Sequence, residues 1–167
     1  MINDTIELKG IIWEDFVNYK KPCMTLMFPK CDFKCDKENG VTLCQNRELA
    51  AAPSQTVHLN YLFHKYKDNP ITEAIVLQGL EPLDSPVELC TVAAVLRELN
   101  IKDDLVIYTG YNKSEILLPK LLDQINPLGK LIIKWGRYIP NQTPHEDPIL
   151  GVMLSSDNQY AEVYNEN

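Results

Sequence analysis

Short, uninterrupted apolar runs recur along the chain, each followed by a small or polar cluster and then by a helical pattern. The runs are Met24–Phe28, residues 75–77 (Ile-Val-Leu), 105–108 (Leu-Val-Ile-Tyr) and 131–133 (Leu-Ile-Ile). Continuous apolarity of this kind suits strands buried on both faces of a parallel sheet. Between the runs, residues 54–67 place Leu59, Leu62, Phe63 and Tyr66 at i, i+3, i+4 and i+7, and Asn69-Pro70 ends the pattern. Residues 85–99 predict a second helix, with Ser85 as N-cap, Pro86 at the first helical position and Glu88 closing a capping box. Its buried face is Leu89, Val92, Leu96 and Leu99. A third helix opens at Asn112, with Glu115 three residues on, and Pro119 kinks or restarts it. The later strands start roughly 26–30 residues apart, the spacing of right-handed βαβ units.

The ends of the chain read differently. Ile6–Trp13 predicts an edge strand or hairpin, and 136–148, with three prolines, predicts a loop. Ile149–Leu154 and Gln159–Tyr164, joined by Ser-Ser-Asp-Asn, predict a strand pair. No repeat, low-complexity tract or long linker divides the 167 residues, so the expectation is one α/β domain. It comprises an N-terminal edge segment (1–20), a βα core (21–135) and a terminal loop with its strand pair (136–167). Parallel α/β sheets bind ligands at the carboxyl ends of their strands. Those ends carry Pro29–Cys35, Gln78-Gly-Leu-Glu-Pro82, Thr109-Gly-Tyr111 and Trp135-Gly-Arg137, and the tail adds Ser155–Gln159.

Composition is that of an ordinary globular protein, with 45% hydrophobic and 23% charged residues. A net charge of −7 with no run of Lys or Arg argues against nucleic acid as a partner. No apolar segment approaches the ~20 residues that span a bilayer, and the first ten residues lack a basic stretch followed by an apolar one. The expectation is a cytoplasmic protein without a membrane segment. Five cysteines in such a chain suit metal binding or catalysis better than disulfides.

Three of them, Cys31, Cys35 and Cys44, share the loop 29–46 that follows the first apolar run. A [4Fe–4S] cluster ordinarily takes four cysteines. Three thiolates on one loop therefore suit a cluster with one iron free of protein, and an open position marks a catalytic rather than a structural metal site. Asn39-Gly40 supplies a turn between Cys35 and Cys44. The alternative is a structural zinc site with Cys23 as fourth ligand. Cys23, however, stands before a strand of roughly 17 Å, far from the loop, and reads as a core or surface thiol. Cys90, in a helical pattern, reads as a buried apolar residue.

Other chemistry is less specific. Gly79 would let backbone approach a ligand closely, and Glu81 or the adjoining backbone would receive an ammonium group. The same residues also describe an ordinary turn before the Ser85 helix. His58 and His64 stand six apart and share no helix face, and His145 lies in the Pro-rich loop. All three read as surface or structural histidines. Arg137 would meet either a ligand carboxylate or a surface acid.

Taken in order, these segments resemble the radical S-adenosylmethionine superfamily, and within it the short activating proteins of anaerobic (class III) ribonucleotide reductase. The resemblance spans about residues 20–165. Cys31 and Cys35 have the three-residue gap of the family's cysteine motif, and Gly79, Leu80, Glu81 and Pro82 fall on its Gly-Gly-Glu-Pro element. Tyr108–Tyr111 match a Tyr-Thr-Gly-Tyr element, and Gly136, Arg137 and Tyr138 match a Gly-Arg-Phe-like one. Ser155, Ser156, Asn158 and Gln159 match a late Ser-Ser-Asn-Gln element. Four departures stand out. Eight residues rather than two separate Cys35 from Cys44, Leu43 replaces an aromatic residue, Leu80 replaces a glycine, and Trp135 stands where activases commonly carry Asp.

The resemblance implies a shortened, laterally open partial (βα) barrel of mostly parallel strands, since a full barrel takes ~250 residues. It implies a [4Fe–4S] cluster on Cys31, Cys35 and Cys44, with S-adenosyl-L-methionine bound by Gly79, Leu80, Glu81, Thr109, Gly110, Ser155 and Asn158. Reductive cleavage of that cofactor would yield a 5′-deoxyadenosyl radical. The radical would take a hydrogen atom from a glycine of a glycyl-radical enzyme, expected to be anaerobic ribonucleotide reductase. A flavodoxin-like or other donor would supply the electron. Two further readings remain: a radical enzyme acting on another protein or peptide, and a non-enzymatic zinc or Fe–S binding module.

Overall fold

The computed structural model describes residues 5–115 and 117–166. The first four residues of the expected edge segment, Ile116 in the expected third helix, and Asn167 lie outside it. In chain order the elements are β1 (Thr5–Leu8), β2 (Gly10–Asp15), β3 (Cys23–Phe28), α1 (Lys34–Asn39), α2 (Arg47–Ala51), β4 (Gln55–His58) and α3 (Leu59–Asp68). There follow β5 (Ala74–Gly79), a 3₁₀ turn (Pro82–Asp84), α4 (Pro86–Glu98), β6 (Asp104–Tyr108) and α5 (Leu118–Ile125). The chain closes with β7 (Leu131–Trp135), β8 (His145–Asp147), β9 (Val152–Leu154) and β10 (Tyr160–Val163).

The four apolar runs form the centre of an open six-stranded sheet in the order β10-β7-β6-β5-β3-β2. β3, β5, β6 and β7 are parallel, and β2 and β10 pair antiparallel at the two edges. This is an α/β fold with a mostly parallel mixed sheet. Each crossover steps to the next neighbour in one direction, so right-handed connections put α3, α4 and α5 on the same face. There Leu62, Phe63, Leu89, Val92, Leu96, Leu122 and Ile125 pack on Met24, Leu26, Phe28, Ile75, Leu77, Leu105, Ile107, Leu131 and Ile133. Truncating one of these, such as Phe63→Ala, would cost about 3–5 kcal/mol.

The other face carries Cys23, Ala74, Val76, Val106 and Ile132 beneath Tyr19, Leu150 and Leu154. Residues 16–21 and the β8–β9 hairpin thus cover it, tied together by the Lys20 amide on the Leu150 carbonyl at 2.7 Å. The apolar pattern is explained by burial from both sides. The sheet is not closed into a barrel, and on this face its centre is covered by the chain itself.

Several boundaries differ from the sequence expectations. Residues 55–58 are a strand, β4, paired antiparallel to β1, and helix α3 begins only at Leu59. Ile6–Trp13 is accordingly split between two sheets, β1 on β4 and β2 on β3. Ser85 precedes α4 as expected, but no capping box forms. Its amide closes the preceding 3₁₀ turn onto the Pro82 carbonyl, and its hydroxyl is buried without a partner. The Asn112 amide does donate to Glu115 at 2.7 Å, yet that turn stops and α5 restarts at Leu118 with Pro119 in its first turn.

The tail strands do not pair with each other. β9 pairs with β8, inside the expected loop, and β10 pairs with β7. Buried Asp147 explains the arrangement by accepting from the amides of Ile149, Leu150 and Ala161, which ties hairpin and edge strand to one carboxylate. Cys90 is half-buried rather than buried. Among the described residues no helix is long and apolar enough to cross a membrane.

Candidate functional site

Side chains alternate across a strand, so every second residue of the parallel strands faces away from the helices. At the carboxyl ends those residues are Met27 opposite Gln78, and Tyr108 opposite Lys134. All four line a cleft of about 380 Å³. The expected residues Cys31, Cys35, Cys44, Gly79, Leu80, Glu81, Thr109 and Gly110 line it too. Sequence positions as far apart as 31 and 110 are therefore brought together at one end of the sheet.

The cysteine loop is fastened to the turn after β5. The Glu81 amide donates to the Lys30 carbonyl at 2.7 Å, and the Asn46 side chain donates to the Gly79 carbonyl at 2.9 Å. Within the loop, Phe33 takes a left-handed conformation before α1, and Gly40 takes another after it. The Lys34 ammonium binds Asp32 and the Tyr111 hydroxyl, the latter at 2.7 Å, so α1 is anchored to the loop after β6. All five cysteines are free. Burial pushes the Cys31 thiol up to about 11 and also raises Cys35, helped there by nearby Cys44.

Cys23 is buried, with its sulfur 3.4 Å from the Asp15 carbonyl at the amino end of β3. It is no ligand for the cleft. Among the described residues, the sulfurs of Cys31, Cys35 and Cys44 are not all three within 4.8 Å of one another. Three free, half-buried thiols around one cleft are a donor set that could hold a [4Fe–4S] cluster with one iron left open.

Glu81 lines the cleft and also joins its walls. Both of its oxygens are engaged: one accepts from the Leu83 amide at 3.1 Å and the Thr109 hydroxyl at 2.8 Å, the other from the Gly110 amide at 2.8 Å. It braces the β5 turn against the β6 turn. Burial pushes its carboxyl up to about 7, against the pull of those three donors. Gly79 likewise has a local reason. At φ 97° a Cβ there would stand 2.7 Å from the Met27 Cα and 2.9 Å from the Phe28 nitrogen. The absent side chain admits strand β3, and the residue meets the cleft through its backbone.

Ser155 and Asn158 do not line the cleft. Ser155 is exposed, and the Asn158 side chain donates to the Arg137 carbonyl at 2.8 Å. Gln159 is the tail residue that reaches the site, accepting from the Ser155 and Ser156 amides and donating to the Gly136 carbonyl at 3.3 Å. Arg137 meets acids of its own chain, Glu115 at 2.8 Å and Glu38 at 3.3 Å, while one of its terminal nitrogens is buried without a partner.

Lys134 was not foreseen. It is buried in the cleft wall, donates to the Gly136 carbonyl at 2.9 Å, and burial lowers its ammonium to about 8. The available signal was a lysine inside the apolar run Leu-Ile-Ile-Lys-Trp, which a fully buried strand does not accept without a reason. Asn18, from the loop crossing the sheet, also lines the cleft, and no local pattern announced it. The comparisons add nothing to this geometry: no family model matches the chain, and neither does any curated protein or solved structure.

Proposed function

We propose that the chain is a radical S-adenosylmethionine enzyme, built on a partial barrel, that activates a glycyl-radical enzyme. One observation carries the reading: three free thiols of a single loop line the same strand-end cleft as the turns after β5 and β6. Cys31, Cys35 and Cys44 would hold a [4Fe–4S] cluster with one iron left open, and that group would supply the electron for reductive cleavage of a carbon–sulfur bond of S-adenosylmethionine. The chain's residues do the rest. The Asn46–Gly79 and Lys30–Glu81 hydrogen bonds hold the ligand loop over the β5 turn. Glu81, with both oxygens occupied, fixes Thr109 and Gly110 as the opposite wall. Buried Lys134 is the one ammonium among the residues lining the described cleft, and it suits the carboxylate of a methionine moiety.

The substrate is read as macromolecular. Residues 16–21 and the β8–β9 hairpin cover the sheet face on which a barrel would hold a small substrate. A hydrogen donor would therefore approach from the strand-end side, as a protruding glycine loop of anaerobic ribonucleotide reductase would. A hydrogen atom would pass from the glycine Cα to the 5′-deoxyadenosyl radical, giving 5′-deoxyadenosine and a glycine-centred radical. A flavodoxin-like protein is the proposed reductant. The test is anaerobic incubation of reconstituted protein, S-adenosylmethionine and reductant with the candidate reductase. The expected result is a glycyl doublet in electron paramagnetic resonance. 5′-Deoxyadenosine without that doublet would leave the cleavage chemistry and remove the assigned partner.

A further inference from the structure

Cys44 stands nine positions past Cys35, and an extended segment of that length can reach roughly 30 Å. Little apolar packing holds it back. Lys37, Glu38, Gly40, Val41 and Thr42 are exposed, with Val41 at 56%. The one buried residue of α1 is Asp36, a carboxylate directly after the second cysteine. One of its oxygens accepts from the Leu43 amide at 2.7 Å and from the Cys44 amide at 2.8 Å. The other takes the Arg47 guanidinium, which also lies 5.0 Å from the Phe33 ring centre. Asn39 completes the loop by donating to the Cys35 carbonyl at 2.8 Å.

We propose that Asp36 is the positioning residue that makes so long a cysteine gap competent to ligate: it bends the chain back and sets Cys44 at the cleft beside Cys35. The inference rests on the cluster reading of the three cysteines. A buried acceptor binding two successive amides fixes the backbone at Leu43–Cys44 more firmly than one contact would, because both donors lose their only local partner if it is removed. Arg47 balances the carboxylate's charge, so the clamp adds no net negative charge next to three thiolates.

The test compares Asp36→Ala, Asp36→Asn and Cys44→Ala, together with the Asp36→Ala/Cys44→Ala double variant. In metal-free protein, alkylation by iodoacetamide is mapped cysteine by cysteine. In Asp36→Ala, Cys44 should react about tenfold faster, a factor suited to losing two restraining hydrogen bonds, with Cys31 and Cys35 within about twofold of the parent. After anaerobic reconstitution, Asp36→Ala should fall to the iron content and spectrum of Cys44→Ala. Asp36→Asn, which keeps an acceptor for both amides, should lie in between. Asp36→Ala should change nothing further in the Cys44→Ala background. Parental Cys44 alkylation in Asp36→Ala would overturn the proposal, as would an equal iron loss in the Cys44→Ala background. Should the parent itself take up no iron and sulfide, the cluster reading fails, while the alkylation arm still decides whether the clamp exists.

Discussion

Glu81 shows how a side chain at a strand end can look like a ligand group and act as a brace. Its carboxyl is pushed to about 7 from an ordinary 4.5, so between those values the folded chain holds a proton that the unfolded chain has lost. Stability from this group is full below about pH 4.5 and is lost as pH rises through about 7. The ordinary and folded values together bound the loss at about 3 kcal/mol. Urea unfolding at pH 5 and at pH 7.5 should show it in the parent. Glu81→Gln should flatten the difference, and parallel pH profiles would contradict the assignment. The cysteines make the companion case. Cys31→Ala, Cys35→Ala and Cys44→Ala should each abolish the reconstituted iron–sulfur chromophore, and Cys23→Ala, at the far end of β3, should leave it. Loss of metal in Cys23→Ala equal to that in the other three would favour a four-cysteine structural site.

At the scale of elements, Gly79 packs its α-carbon against the backbone of β3. A Cβ there would collide with the Met27 and Phe28 backbone, whereas one at Gly110 would meet nothing nearer than 3.5 Å. Gly79→Ala should therefore destabilise by more than about 2 kcal/mol, and Gly110→Ala should stay within about 0.5 kcal/mol of the parent. Thermal melts of both settle the comparison, and equal melting temperatures would remove the collision argument. The four parallel strands and the buried faces of α3 and α4 were legible because burial on both faces, or on one helical stripe, leaves a strong local pattern. β4 was missed because Gln55–His58 carries no apolar alternation and forms only against β1, 47 or more positions away. The tail pairing was misread for a similar reason. Strands β8, β9 and β10 are three or four residues long, and the choice among their partners is made by buried Asp147.

For the whole molecule, topology decides where chemistry can occur. Steps in one direction across the parallel strands leave the helices on one face, and the chain's own loop and hairpin close the other. What remains is a cleft at the carboxyl ends, where the sequence placed the cysteines and the turns after β5 and β6. Gln159 entered that cleft from the tail element already singled out, whereas Lys134 and Asn18 entered it from the pleat of β7 and a crossing loop, outside every matched motif. The most direct measurement of the central claim is 5′-deoxyadenosine formed per chain when anaerobically reconstituted protein is reduced in the presence of S-adenosylmethionine. The account predicts reductant-dependent 5′-deoxyadenosine from the parent and from Cys23→Ala, and none from Cys31→Ala, Cys35→Ala or Cys44→Ala. A fully reconstituted parent that yields none, or a chain that holds one zinc ion in place of iron and sulfide, would contradict it.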